Sequence, residues 1–336
     1  MGFFKTLTRN RSVPGSLVAG QLGAVTRSIG YLQGGYYTGA AGTTSGGVAF
    51  TTGPGSQYSW SQVQLFNTVS QTGSIVYDSG YNRRYQAGVS GNTAGYYSIN
   101  DNTNYNKFNY ISATASSSFT TTGANSCTAI DLNVYSQAWI LESSVQSTGS
   151  AITNWSKVDL TSDTPTSLGD LDGATGATGT SRQAMNTSTH GFFINTGGPQ
   201  VYSFNFSSQA VAAQSTNTLV DGNIQIACGM SITNTYGYFV GMGGANSSSR
   251  NIKLTVSGAT VSSYSSSNAY TYQFGESHSL VGDVAGYMMA GYPDTSGRYS
   301  SVQHALCQRM TLSNEAISTL PDLVLPQSSG QMMQGF

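Results

Sequence analysis

Acid–base chemistry near neutral pH would have to start from three histidines, His190, His278 and His304, because imidazole alone titrates in that range without help. His190 directly precedes Gly191 at the entry to an aromatic-led segment, and His278 holds a related place before the last such segment. The plainer role for both is a hydrogen-bonded strand residue. The sequence has no GxSxG elbow, HExxH pair, phosphate-binding loop or dinucleotide fingerprint, which lowers the case for an enzyme. The densest acidic group is Asp170-Leu171-Asp172-Gly173. Two such carboxylates could serve glycoside hydrolysis, or their oxygens a calcium ion. The further ligands of a calcium loop do not follow, and a solvated turn explains the group as well. Cys127, Cys228 and Cys307 form no CxxC pair and have no histidine at ligand spacing, so they read as core-filling thiols rather than a zinc site or disulfide framework. The sequence is therefore expected to be non-enzymatic, with no metal and no cofactor.

Aromatic residues carry the other functional hint. Trp60, Trp139 and Trp155 accompany 21 tyrosines, and such side chains serve equally as sugar-stacking platforms, interface anchors or core. Trp139 stands where a repeat places an aromatic, which makes it core. Trp60 lies in a Gly/Thr/Ser-rich insertion between Gly35 and Val63, the best candidate for a contact loop.

The elements that must position these residues follow from composition. Of 336 residues, 41 are glycine and only 8% are charged, against about 25% in ordinary domains. That palette favours short strands and tight turns over surface helices. With 13 basic and 14 acidic residues the net charge is −1, too little field to attract a nucleic-acid backbone. A near-neutral surface of hydroxyls and amides suits a protein held in an assembly in many copies. No early stretch reads as a signal peptide and no run reaches membrane-spanning length, so membrane insertion is not expected; Gly2 and Thr6 fit the short myristoylation pattern, which recurs by chance.

A repeat organises the chain. A small residue followed by an aromatic opens a strand-like run at Gly30-Tyr31, Gly95-Tyr96, Ala138-Trp139, Gly191-Phe192, Gly237-Tyr238 and Gly286-Tyr287. Each is followed by a polar-apolar alternating segment, beginning at Gln62, Lys107, Lys157, Ser203, Lys253 and Arg309, so the starts differ by 45, 50, 46, 50 and 56 residues. Earlier strand candidates include Ala87-Gly88-Val89, Cys127 to Ile130, Gln183-Ala184-Met185 and Ile224 to Met230. Four short strands in roughly fifty residues is the arithmetic of a β-propeller blade. The expected fold is all-β: a propeller of six blades of four antiparallel strands, with seven blades as the alternative. Gln331-Met332-Met333-Gln334-Gly335-Phe336 parallels the segment before the fifth aromatic, and is expected to complete the first blade beside Tyr31.

Tyr31 with Gly34-Gly35, Tyr238 with Gly243-Gly244 and Phe192 with Gly197-Gly198 resemble the kelch-type repeat. In its Tyr/Gly/Ser-rich style the whole of 30–336 resembles the propeller repeats of structural proteins of tailed bacteriophages. That resemblance implies a virion protein on the tail or capsid surface, contacting other virion proteins and a host surface. Residues 1–28 fall outside the repeat and read as an arm, with 29–336 as one propeller domain, although Ser16-Leu17-Val18-Ala19-Gly20 competes for a place in the sheet. The arm concentrates Lys5, Arg9, Arg11 and Arg27 and carries Phe3 and Phe4 as anchors. Phe3, Phe4, Arg9, Arg11 and Trp60 are thus the expected partner-binding residues. The alternative function is a glycan-binding lectin or host receptor binder using Trp60.

Overall fold

The computed structural model describes residues 29–33, 36–38, 42–43, 49–50, 57–59, 62–79, 88–91, 93–99, 104–121, 131–134, 136–145, 151–171, 185–194, 201–214, 228–231, 235–240, 251–267, 278–282, 284–289, 307–320 and 331–335. Every regular element among them is a β-strand. β1 (Ile29–Gln33) is followed by β2 (Tyr36–Thr38), β3 (Gly42–Thr43), β4 (Ala49–Phe50), β5 (Gln57–Ser59), β6 (Gln62–Asn67) and β7 (Thr72–Asp78). Next come β8 (Gly88–Ser90), β9 (Ala94–Ile99), β10 (Asn104–Asn109) and β11 (Thr114–Thr120), then β12 (Asp131–Val134), β13 (Gln137–Val145), β14 (Ala151–Asp159) and β15 (Thr164–Asp170). The chain continues through β16 (Met185–Asn186), β17 (His190–Ile194), β18 (Val201–Asn205), β19 (Val211–Ala213), β20 (Cys228–Ser231), β21 (Tyr236–Val240), β22 (Asn251–Ser257) and β23 (Thr260–Ser267). It ends with β24 (His278–Val281), β25 (Ala285–Met289), β26 (Cys307–Thr311), β27 (Ile317–Leu320) and β28 (Gln331–Gly335).

These strands form six four-stranded sheets, five of them consecutive in sequence: β8 to β11, β12 to β15, β16 to β19, β20 to β23 and β24 to β27. The first sheet differs, with the order β28-β1-β6-β7. Its leading strand is the last of the chain, antiparallel to β1 with Tyr31 opposite Met333. Between β1 and β6, β2 pairs antiparallel with β5 and β3 with β4, so the two pairs are nested in sequence.

Each leading strand lies against the next: β28 on β8, β8 on β12, β12 on β16, β16 on β20, β20 on β24, and β24 on β28. In the second sheet burial is greatest on the second strand and least on the fourth. All six residues of β9 are buried, while β11 is largely exposed or half-buried. A sheet covered on both faces by neighbours loses the polar-out, apolar-in alternation on its inner strands, which explains the continuous small-and-aromatic runs there.

The core therefore lies between sheets. Phe66 from the first sheet packs with Leu280, Ala285, Tyr287 and Cys307 of the sixth. Tyr31 and Val63 pack with Tyr97, Ile99 and Phe108 of the second, and Tyr96 and Tyr105 with Ala138, Ile140 and Val158 of the third. Trp139 and Trp155 join Phe193, Tyr202 and Phe204 of the fourth. Cys307 is a core thiol, as expected; Cys127 lies outside the described residues.

All six small-aromatic pairs fall on the second strand of a sheet, and all six alternating segments touch the third. One register differs from the sequence reading. Tyr96 faces Lys107 and Tyr238 faces Lys253, but Tyr31 faces Leu65 rather than Gln62. The first copy is therefore shifted by three residues, and its true match is Leu65-Phe66-Asn67. The shift hid because Val63 and Leu65 alternate as convincingly as Phe66. The expected strand at Cys127 to Ile130 lies outside the described residues, and the described leading strand there is β12.

Candidate functional site

In every sheet the third strand turns tightly into the fourth, and the leading strands of five sheets turn into their second strands at the same end. We call this the turn end. In three sheets Asn67, Asn109 and Asp159 close the third strand opposite Thr72, Thr114 and Thr164. Each side-chain oxygen accepts from the N–H groups two and three residues on, as Asn67 Oδ1 does from Val69 (2.8 Å) and Ser70 (3.0 Å). Asn109, Asp159 and Asn205 repeat this arrangement. The last loop residue adopts a left-handed backbone, at Gln71, Ala113, Asp163, Gln209 and Glu315 (φ 51–58°). The N–H of Gln71 returns to the Asn67 carbonyl at 2.8 Å. Asx residues satisfy turn N–H groups by this geometry. The fifth sheet uses a shorter turn with Gly258 at φ +60°.

These turns receive the repeat's aromatics from the neighbouring sheet. The Tyr287 hydroxyl of the sixth sheet donates to the Thr68 carbonyl of the first (2.9 Å). Tyr31 stacks on Tyr110 of the second, with centroids 5.0 Å apart. The Tyr96 hydroxyl donates to Asp163 Oδ1 of the third (2.7 Å), and Tyr238 to Glu315 Oε1 of the sixth (2.6 Å). Lys107 Nζ reaches both Asp163 oxygens at 2.9 and 3.0 Å, and Lys253 Nζ lies 3.0 Å from Glu315. Burial, then the hydrogen-bonded carboxylates, hold the Tyr96 and Tyr238 hydroxyls protonated far above the ordinary tyrosine range. Such phenols donate; they cannot serve as bases near neutrality. At the third-to-fourth junction stacking replaces the ions, with Trp139 on Phe206 at 4.8 Å and Trp155 on Phe204 at 4.7 Å.

His190 is buried at the start of β17. Asn205 Oδ1 accepts from Ser207 and Ser208 (2.9 Å each), which turns its amide nitrogen toward His190 Nε2 at 3.0 Å. Nε2 is then the acceptor, and Nδ1–H donates to Thr189 Oγ1 at 2.8 Å. Desolvation lowers the His190 pKa, and protonation would oppose Nε2–H to the Asn205 donor. The histidine is a neutral structural member of the turn, the plainer of its two sequence readings.

Of the expected partner-binding residues, Phe3, Phe4, Arg9, Arg11 and Trp60 all lie outside the described residues, as do His304, Asp172 and the three double glycines. Asp170 ends β15 opposite Asn154, and His278 opens β24. Trp155 is core together with Trp139. Sequence reading missed the carboxylates Asp163 and Glu315 and the Asx turn caps. The signal was present as Asn or Asp followed three residues later by Ser, at Asn67-Ser70, Asn109-Ser112, Asp159-Ser162 and Asn205-Ser208. Among the described residues no three His, Cys, Asp or Glu side chains converge as a metal would require.

No protein-family model and no curated protein matches the chain. Among solved structures, a fungal alcohol oxidase of the AA5 family, in complex with copper, is similar at a TM-score of 0.52 and 11% identity. The similarity covers 90% of this chain and 66% of the oxidase chain. At that identity the likeness speaks to the fold alone. The class of protein so defined is all-β and β-propeller-like.

Proposed function

We propose that the six sheets are the blades of one closed propeller, completed by β28, and that this propeller is a non-enzymatic structural component of a tailed-phage particle. Residues 1–28 anchor it to other virion proteins, and the insertion between β1 and β6 faces outward toward the host surface. The observation that carries the reading is how the reactive side chains are spent. Tyr96, Lys107, Asp163, Tyr238, Lys253, Glu315 and His190 bond strand to turn, most of them across sheet junctions. This is the chemistry of a scaffold. The cyclic order of leading-strand contacts supports closure, the low charge suits packing in an assembly, and the repeat style resembles phage structural proteins. Mass spectrometry and immunogold labelling of purified particles test it: stoichiometric presence is expected, and absence from the particle overturns it.

A further inference from the structure

Three sheets place a lysine against the aromatic that leads their second strand. Lys107 pairs with Tyr96, Lys157 with Trp139 and Lys253 with Tyr238, and each Nζ lies 5.4–5.6 Å from the centre of its partner ring. At two junctions a turn of another sheet completes the pair. Its residue with left-handed backbone is a carboxylate, Asp163 or Glu315, which takes both the lysine and the tyrosine hydroxyl. At the junction of the third and fourth sheets the same turn position holds Gln209 (φ 58°). The turn itself is alike: the Gln209 N–H returns to the Asn205 carbonyl at 2.8 Å, as the Glu315 N–H does to that of Thr311. The contact with the neighbouring sheet is alike too. Trp139 stacks on Phe206, where Tyr96 meets Leu160, and both partners directly follow the Asx residue that opens their turn.

The chemistry at this third junction is one-sided. Ammonium and indole N–H groups only donate, and the Nε1–H groups of Trp139 and Trp155 are buried without a hydrogen-bond partner among the described residues. Lys107 and Lys253 form ion pairs, whereas Lys157 has none among the described residues. Asp159, two residues along the same strand, feels the Lys157 charge, but its Oδ1 is spent on Thr161 and Ser162 of its own turn. A neutral turn residue does not by itself create this excess of donors. At the sixth-to-first junction Gln71 and Arg309 both bond the Tyr287 hydroxyl, whose oxygen can accept. Trp139 offers no such oxygen. The third-to-fourth junction therefore keeps the lysine, half-buried over its aromatic ring, and lacks the anion that the matching junctions supply from the chain.

We propose that Lys157, with the Gln209 amide, binds a small-molecule carboxylate in the role that Asp163 and Glu315 play at the other two junctions. An ammonium and an amide N–H both make charge-assisted hydrogen bonds to such a group. The site needs only the third and fourth sheets, so it stands whether or not the chain belongs to a particle. The reporter is the indole N–H signal of Trp139, one of three tryptophans in the chain, followed by NMR in the full-length protein. Acetate and galacturonate are the probes, at constant ionic strength set with chloride, and galactose is the uncharged control. A saturable shift with at least one carboxylate, and none with galactose, is expected. Binding of acetate marks a free acid as sufficient; binding of galacturonate alone marks an acidic sugar. Lys157→Met should abolish the shift. Gln209→Glu should abolish it too, by supplying the carboxylate from the turn, and should melt at or above the wild type. No saturable shift, an equal one with galactose, or one that survives either substitution overturns the proposal. A Gln209→Glu chain that melts below the wild type also overturns it, because that turn then does not reach Lys157.

Discussion

The junction between the sixth and first sheets and the junctions between the second and third and the fifth and sixth sheets use the same repeat positions with different chemistry. At the first, the strand-leading Tyr287 bonds a backbone carbonyl and packs edge-on against Phe66 (5.3 Å), with Leu280 filling the space beside Gly30. At the other two, the tyrosine meets a carboxylate that a lysine also holds. The junction between the sixth and first sheets thus rests mainly on burial and on a hydrogen bond from an uncharged hydroxyl to a carbonyl, with Arg309 beside that hydroxyl. A half-exposed ion pair adds little, so the ion-paired junctions also rest mainly on burial, as Tyr96 and Tyr105 packed with Ala138, Ile140 and Val158 show.

The largest effect expected from breaking this contrast is removal of β28. Deleting residues 328–336 strips the first sheet of its leading strand and opens an edge of β1. The cooperative thermal transition should be lost or the protein should become insoluble, and a truncated chain with an unchanged melting curve would refute the closing role of β28. Crowding the same junction comes next. A Cβ on Gly30 would sit 2.7 Å from Leu280 Cδ1, so Gly30→Val should cost about 1–3 kcal/mol in urea unfolding. Leu280→Ala alone should cost about 2–5 kcal/mol. The double variant should lose clearly less than the sum, and strict additivity would deny the contact.

Smaller changes sharpen the chemical difference. Tyr287→Phe should cost about 0.5–1.5 kcal/mol, equally in low and high salt. Lys107→Met should cost about 0.5–1 kcal/mol in low salt and less in high salt. Equal salt dependence of the two would erase the distinction. The smallest effect concerns His190. Its folded pKa lies below the unfolded one, so the unfolded chain binds the extra proton and stability falls as pH drops below about 6.5. Melting temperatures from pH 7.5 to 5 should decline more steeply for the wild type than for His190→Gln; parallel curves would mean His190 does not titrate on unfolding.

Much of the architecture was legible because the repeat is written in residue types with steep local preferences. A small residue before an aromatic marks the second strand at all six positions, since the ring enters the junction while the small residue admits the neighbouring sheet; Gly30 against Leu280 is the clearest case. The leading strand β28 was legible for the same reason, through its likeness to the segment before Tyr238. The register of β6 was not. Period-two alternation on a strand buried from both sides gives Val63, Leu65 and Phe66 equal claims, and only pairing with β1 decides among them.

The candidate site divides the same way. By itself the sequence determined strand content, the period, the positions of the aromatics and the turn-forming Asx residues, because these follow from backbone preference and local hydrogen bonding. Only the tertiary structure decided that Tyr96 meets Asp163 across 67 residues and that Tyr287 meets Thr68 across 219. Those partners come from different repeats, and no local pattern says which turn a neighbouring sheet will bring alongside.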